Sequence, residues 1–252
     1  MRDDTAHALA ELNRRFYEER AADFDETRGH AWRGWERCLD ALVPPGRSAP
    51  VRVLDVGCGN GRLAGFLAER AGSAFAYRGI DASETLLALA RRRLGARAGL
   101  RFERHDLLDP GFPGVLGSGG QDAVALFGVL HHVPGRARRE ALAAGLARAL
   151  APGGSLVATI WRADRFERFR DRFVPAADCA ARTGIPIDPT DLEPGDVLLP
   201  WKHDPAALRY CHFPDEAESQ AFIAATGLDV HASFDADGRE GELNRYWLLG
   251  PR

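Results

Sequence analysis

Apolar residues recur every three or four positions from about Ala6 to Ala22, at Leu9, Leu12 and Phe16, and again at Trp32, Trp35, Leu39 and Leu42 before "VPPG" stops the run. That spacing predicts two helices. From Val51 the pattern changes to short apolar runs separated by helical ones: strand "VRVLDV", a helix from about Arg62 to Arg70, strand "AFAYRGI", helix "SETLLALARRRL" capped by Ser83, and strand "LRFERH". The buried-strand run "DAVALFGVL", a helix from about Arg136 to Leu150, the stop "APGG" and strand "SLVATIW" complete the alternation. Strands alternating with helices pack as a mostly parallel sheet with helices on both faces.

After Trp161 the rhythm breaks. "RADRFERFRDRF" has helical spacing, with Arg165, Arg168 and Arg172 on a solvent face, Phe166, Phe169 and Phe173 on a core face, and Asp164, Glu167 and Asp171 between them. Thr183 to Pro200 is rich in Pro and Asp and belongs to an inserted cap. "DEAESQAFIAATG" is then a helix with an acidic first turn and a glycine stop, followed by strands "LDVHASF" and "LNRYWLLG" across the polar turn "DADGREGE". The predicted organisation is an N-terminal helical lid over 1–48, a ligand-binding core over 49–161, an inserted substrate cap over 162–212, and a C-terminal helix with an antiparallel strand pair over 213–252.

Composition narrows the class without naming the chemistry. A chain of 252 residues that is 45% hydrophobic can bury one sizeable core. Cys38, Cys58, Cys179 and Cys211 are scattered with no C-x-x-C pair, so no metal site and no disulfide framework is expected, and a reducing cytoplasm fits. No charged-then-apolar leader opens the sequence and no run approaches the roughly 18 apolar residues of a membrane span, so an unanchored protein is expected. The formal net charge of -3 gives no global attraction for nucleic acid, and no DNA or membrane partner is expected.

The candidate chemistry begins at "VLDVGCGNGR", where Gly57, Gly59 and Gly61 follow a strand and precede a helix. Glycine lets the main chain approach a ligand, and a helix N-terminus offers free N–H groups. A dinucleotide fingerprint needs a glycine where Arg62 stands, and no G-K-[ST] follows for an ATP phosphate loop. Asp55, just before the loop, suits a cation or an ammonium group rather than a phosphate.

These residues resemble the first motif of the class I S-adenosylmethionine-dependent methyltransferases, and the resemblance runs from Val51 to Trp161. It implies a doubly wound, Rossmann-like α/β fold with a seven-stranded, mostly parallel sheet, and S-adenosylmethionine as cofactor with S-adenosylhomocysteine as product. Carried over residue by residue, it places Asp55, Gly57 and Gly59, with Cys58 and Asn60 between and beside them, around the methionine end of the cofactor. It gives Asp81, followed by Ala82, to the ribose hydroxyls, Asp106 to the adenine amino group with Leu107 beside it, and Phe127 of "FGVLHHV" to the end of the fourth strand.

The ends of the chain are similar to tRNA methyltransferases that esterify a carboxymethyl group on wobble uridine, including the methyltransferase domain of AlkB-like fusion proteins. The matching positions are Tyr17 and Arg28 in the lid, Pro200 with Trp201, Arg209 with Tyr210 and His212, and Asn244. This sequence differs in carrying Cys211 where a second Tyr is usual, and Arg245 and Tyr246 between Asn244 and Trp247. By this resemblance Tyr17 and Arg28 meet the cofactor, while Arg209 and His212 grip a substrate carboxylate. His131 and His132 are the candidate general bases, needed for a phenol or a protonated amine but not for a carboxylate, which is already ionised at neutral pH. His203 has no assigned partner and is expected at the surface. The acceptor is expected to be a modified tRNA uridine, with a small-molecule acid, amine or hydroxyl as the alternative. A small activator protein is a possible partner, and a non-catalytic cofactor-binding subunit is the remaining alternative.

Overall fold

The computed structural model describes residues 1–252 except Arg28, Ala96, Pro110, Lys202 and His203, and the side chains of Pro113 and Pro205. Nine strands lie in chain order as β1 (Val51–Val56), β2 (Phe75–Asp81), β3 (Leu100–Arg104), β4 (Gln121–Leu126), β5 (Leu150–Trp161), β6 (Asp196–Trp201), β7 (Asp204–His212), β8 (Asp229–Ala236) and β9 (Asn244–Gly250). The α-helices are α1 (Asp3–Glu19), α2 (Ala21–Thr27), α3 (Leu39–Leu42), α4 (Arg62–Ala71), α5 (Glu84–Leu94), α6 (Phe112–Leu116), α7 (Arg136–Ala149), α8 (Glu167–Arg170), α9 (Cys179–Thr183) and α10 (Glu216–Thr226).

Seven strands form one sheet in the order β3-β2-β1-β4-β5-β9-β8, and β6 with β7 forms a separate antiparallel pair. The first five strands of the large sheet run parallel, while β9 is antiparallel to both β5 and β8. Successive strand residues face opposite sides. Val53 therefore joins the core beneath α3, α4 and α5, with Phe66, Leu87 and Tyr246, whereas Leu54 joins the core beneath α6, α7 and α10, with Leu146, Phe222 and Trp247. This is the doubly wound α/β architecture that the alternation predicts. Its chain reverses direction of travel between β1 and β4, the crevice where open sheets bind ligands.

Local capping agrees with the sequence. Ser83 Oγ accepts the Leu86 N–H at the start of α5, and Asp215 does the same for Glu218 at the start of α10. The first predicted helix is α1, with α2 following it, and the run from Trp32 to Leu42 is a 3-10 turn over Arg33–Cys38 that leads into α3. β5 begins earlier than predicted, at Leu150, which pairs with Gln121.

The cap differs most. The helix expected over "RADRFERFRDRF" breaks into a 3-10 turn, Ala163–Arg165, and the single turn of α8. Phe169 turns edge-on to Trp161 at 5.4 Å and Phe173 stacks on Phe213 at 5.8 Å, so the aromatic anchors sit on two different partners. Arg165 and Arg168 stay exposed as expected, Arg168 gripping Glu240 through two nitrogens, whereas Arg172 is half-buried and donates to the Pro200 carbonyl. The β6–β7 pair, unmarked in the sequence beyond "inserted cap", packs Leu198, Leu208 and Tyr210 against Leu9 and Leu12 of α1. Among the described residues no helix is long and apolar enough to cross a membrane.

Candidate functional site

A cavity of about 390 Å³ runs along the C-terminal ends of the large sheet, roofed by α1 and α2 and closed at one side by the cap. From one end of the sheet edge to the other, its wall presents Asp106 after β3, Asp81 at the end of β2, Gly57 to Asn60 after β1, Phe127 and Gly128 after β4, Trp161 at the end of β5, Asn244 at the start of β9, and Asp237 after β8.

The glycine loop is shaped by two different demands. Gly57 has φ +77°, and a Cβ there would lie 2.1 Å from Val129 Cγ2, so the residue is required by close packing against the β4 loop. Gly59 has φ +53°, and a Cβ there would project into open space no closer than 3.9 Å to Phe24. That space belongs to the cavity, and it is the cradle a ligand's backbone contacts require. The Gly59 N–H donates to Asp81 Oδ2 at 2.8 Å and the Ser83 N–H to Oδ1 at 2.9 Å, so the loop and the start of α5 converge on one carboxylate. Burial raises the Asp81 pKa above the ordinary carboxylate value, against the lowering effect of these N–H donors.

Asp55 lies behind the loop rather than on the cavity wall. It is 2% exposed and accepts the Tyr77 hydroxyl. Burial pushes its pKa up to about 7, with the Tyr77 hydrogen bond acting in the opposite direction. The expected contact of Asp55 with the methionine end is therefore not a feature of the cavity wall; Gly57, Cys58, Gly59 and Asn60 form the wall there. Asp106 accepts the Leu108 N–H and faces Arg14 of the lid at 3.4 Å, while Ala82 and Leu107 line the cavity beside it.

The lid is pinned to this same loop system by polar contacts. Glu18 of α1 accepts from Ser83 Oγ at 2.7 Å and from Thr85, and Asp25 of α2 accepts from Asn60 Nδ2 at 2.6 Å and from Arg93. Tyr17 points its hydroxyl to His132 Nε2 at 2.7 Å and lines the cavity. Arg28, expected beside it, lies outside the described residues, as does His203.

The other half of the cavity is built differently. Arg209 is 6% exposed, and its guanidinium sits 5.3 Å from the Phe16 ring, 5.2 Å from Trp161 and 5.6 Å from Trp201. Its Nε is buried with no hydrogen-bond partner, and among the described residues no carboxylate forms an ion pair with it. Cation–π contacts return part of the lost hydration, on the order of 0.5–2 kcal/mol each, which is less than a desolvated cation requires. The arrangement calls for an anion from the cavity.

His212, expected to share that anion, does not reach it. Arg209 and His212 are three residues apart on β7, and odd separation on a strand sends side chains to opposite faces. His212 is fully buried on the far side, bonded through Nδ1 to Asp196 at 2.7 Å and through Nε2 to Glu218 at 2.8 Å. Arg139 joins the same network by binding Glu218 and Glu193. Burial opposes charge on this imidazole, but the two carboxylate bonds outweigh it and raise its pKa.

The histidine pair sits between the two halves. His131 lines the cavity with its ring 4.0 Å from that of His132 and 5.1 Å from Trp161. His132 Nδ1 lies 2.8 Å from the Tyr210 carbonyl oxygen, which only accepts, so Nδ1 carries the proton and Nε2 accepts from Tyr17. Burial, and then the nearby Arg209 charge, lower its pKa to about 3.

Two residues of the site carry signals that the motif reading passes over. Asn13 falls on the apolar stripe of α1, four residues from Leu9, and a polar residue on such a stripe marks a specific partner. Asp237 is the one described non-glycine residue with positive φ, +67°. Its carboxylate is buried on the cavity wall, accepting from the Gly34 N–H, Asn244 Nδ2 and the Tyr246 hydroxyl.

Residues 53–154 match the family model described as a methyltransferase domain. The chain is 40% identical over 119 residues to the trans-aconitate 2-methyltransferase of Methylobacterium nodulans, an alignment covering 46% of this chain and 41% of that one. It is 27% identical over 199 residues to a probable tRNA methyltransferase 9B of Bos taurus, covering 77% of this chain and 35% of that one. The chain thus spans less than half the length of these two curated relatives. Among solved structures, a DhpI-SAM-HEP complex superposes with TM-score 0.61 at 21% identity, covering 98% of this chain and all of that one. A putative methyltransferase complexed with the Haloferax volcanii Trm112 activator superposes with TM-score 0.57 at 17% identity, covering 95% and 97%.

Proposed function

We propose that this chain, a member of the class I S-adenosylmethionine-dependent methyltransferases, esterifies a carboxylate on a small acid held by Arg209. The cofactor, which leaves as S-adenosylhomocysteine, supplies an electrophilic methyl group on a sulfonium. The observation that carries the acceptor reading is the buried guanidinium with no carboxylate of its own, aimed into the cavity beside Trp161.

A carboxylate oxygen attacks the methyl carbon, so one C–O bond forms as the S–C bond breaks, and no proton is released. The charges cancel as the bond forms, and a dry site favours such a step. The chain's work is then to align and to exclude water. Arg209 fixes the carboxylate, Trp161 and Phe127 wall off solvent, and the lid closes from above.

The wobble-uridine carboxymethyl acceptor favoured by the tRNA resemblance stands as a second reading, because the alignment to the tRNA methyltransferase relative runs along 77% of this chain. The small acid is preferred on two grounds. Arg209 lies deep, and several exposed arginines pair with carboxylates of the chain: Arg93 with Asp25, Arg91 with Glu84, Arg168 with Glu240. An activator subunit belongs to the tRNA reading.

Purified protein incubated with methyl-labelled cofactor and separated small-molecule acid and RNA fractions tests the proposal. Label entering the acid fraction and released as methanol by mild alkali is expected. Label confined to RNA supports the second reading, and tight cofactor binding without turnover on either fraction supports a non-catalytic subunit. Arg209→Ala is expected to lower kcat/KM by about 10²- to 10³-fold while leaving S-adenosylhomocysteine affinity unchanged.

A further inference from the structure

We infer that His132 is a positioning residue rather than a base: together with Asn13 it holds the main chain of Tyr210 and so aims Arg209 at the acceptor. The inference rests on the reading of Arg209 as the acceptor's anchor. β7 pairs with β6 alone, so its other edge presents main-chain groups to the lid. A strand edge left this way needs partners for its buried N–H and C=O groups. At Tyr210 both are met by side chains. The N–H donates to Asn13 Oδ1 at 2.8 Å, and the C=O accepts His132 Nδ1–H at 2.8 Å. Asn13 Nδ2 also reaches the His132 carbonyl at 3.4 Å, which closes the three residues into one unit. Two side chains, one from α1 and one from the loop after β4, thereby stand in for a third strand, and the residue they fix is the immediate neighbour of Arg209.

Both ring nitrogens of His132 are committed, Nδ1 to Tyr210 and Nε2 to the Tyr17 hydroxyl. The titratable and charged groups around the ring are Tyr17 from α1, Arg209 and Cys211 from β7, and His131 beside it. None is an anion that would stabilise an imidazolium, and the Arg209 charge opposes one.

The test uses the full chain, the small-molecule acid fraction as acceptor source, and two substitutions that separate the ring's two nitrogens. His132→Asn keeps a donor near the Nδ1 position and removes the Nε2 position; His132→Ala removes both. Positioning predicts that His132→Asn retains turnover within a few fold, whereas His132→Ala raises the acceptor KM about ten- to hundredfold. It further predicts an unchanged S-adenosylhomocysteine Kd and an unaltered shape of the pH–rate profile. Equal, large losses of kcat in both variants, with disappearance of an acid limb near the ordinary histidine pKa, overturn the inference. A second measurement does not depend on turnover: nitrogen-15 spectra of the histidines are expected to show His132 as the neutral Nδ1–H form down to pH 5. Titration of that ring between pH 6 and 7 overturns it even if no acid proves to be a substrate, which is the separate outcome that would remove the Arg209 reading.

Discussion

Along the sheet edge the cavity divides into two halves that are made in opposite ways. On the side proposed for the cofactor, over β3, β2 and β1, carboxylates are met by donors from the neighbouring loops and strands, as Asp81 is by the main chain of Gly59 and Ser83. On the side proposed for the acceptor, over β5, β9 and the cap, a cation is left short of partners among aromatic rings, and its surroundings are joined by contacts such as Asn13 to Tyr210, which are 197 residues apart. The first half is complete before a ligand arrives, whereas the second carries a deficit that a ligand must fill. Evolution of a new acceptor can therefore proceed in the second half without disturbing the first.

The strongest way to break this division is at Gly57. Gly57→Val places a branched side chain at φ +77° and against Val129, at a combined cost of about 3–5 kcal/mol. Loss of S-adenosylhomocysteine binding in a calorimetric titration, together with a lowered denaturation midpoint, is expected. Retention of wild-type affinity would show that the loop is not the cofactor's seat.

His212 sharpens the outer boundary of the acceptor half, because it belongs to the scaffold instead. Its folded pKa is raised above its unfolded value near 6.5. Stability from this group is thus fully present below about pH 6.5 and lost as pH rises through the folded value. Removing it by His212→Gln is expected to cost about 3 kcal/mol at pH 6 and clearly less at pH 9 in urea unfolding. Comparing wild type and variant at each pH cancels the contribution of Asp55, whose own raised pKa favours the fold below about 4 and loses that effect as pH rises through about 7. An equal cost at both pH values would remove the charged histidine from the account.

Arg209→Met turns the deficit into a measurable gain. Replacing a buried, under-partnered cation with an apolar side chain of similar reach is expected to raise Tm by about 2–4 °C while lowering kcat/KM for acids by about 10²- to 10³-fold, as in Arg209→Ala. A lowered Tm would mean that the cation is already compensated. The smallest effect is expected from Tyr17→Phe, which removes the hydroxyl from His132 Nε2 at a cost of about 1 kcal/mol, read as a few-fold rise in acceptor KM.

The same division explains what was legible in the sequence. The strand–glycine–helix unit, Asp81 and Asp106 are short local patterns, and the structure puts all of them on the cavity wall. The mostly parallel sheet with helices on both faces follows from the alternation of helical and strand periods, whereas its seven strands are what the family resemblance implies. Asp55 was read as a wall residue because it is adjacent in sequence, but the strand pleat turns it behind the loop to Tyr77. The resemblance groups His212 with Arg209, which the strand's period of two contradicts. Asn13 escapes because its partners His132 and Tyr210 lie far along the chain, although a polar residue on an apolar stripe is a visible sign; Asp237 reads as one more acid of a polar turn, although Asn244 and Tyr246 lie within ten residues of it. The cap's helix failed because three phenylalanines at helical spacing need one common surface, and Phe169 and Phe173 instead find Trp161 and Phe213.

Two ion pairs, Asp25 with Arg93 and Arg20 with Asp204, help to fasten the roof of the cavity. Such fasteners weaken as mobile ions screen them, with a reach of about 10 Å at 0.1 M salt. The dwell time of spent cofactor then becomes a property of the surrounding electrolyte. Stopped-flow release of S-adenosylhomocysteine is expected to quicken as salt rises over roughly one decade, from about 0.05 to about 0.5 M, and an unchanged rate would show that ion pairs do not hold the roof shut.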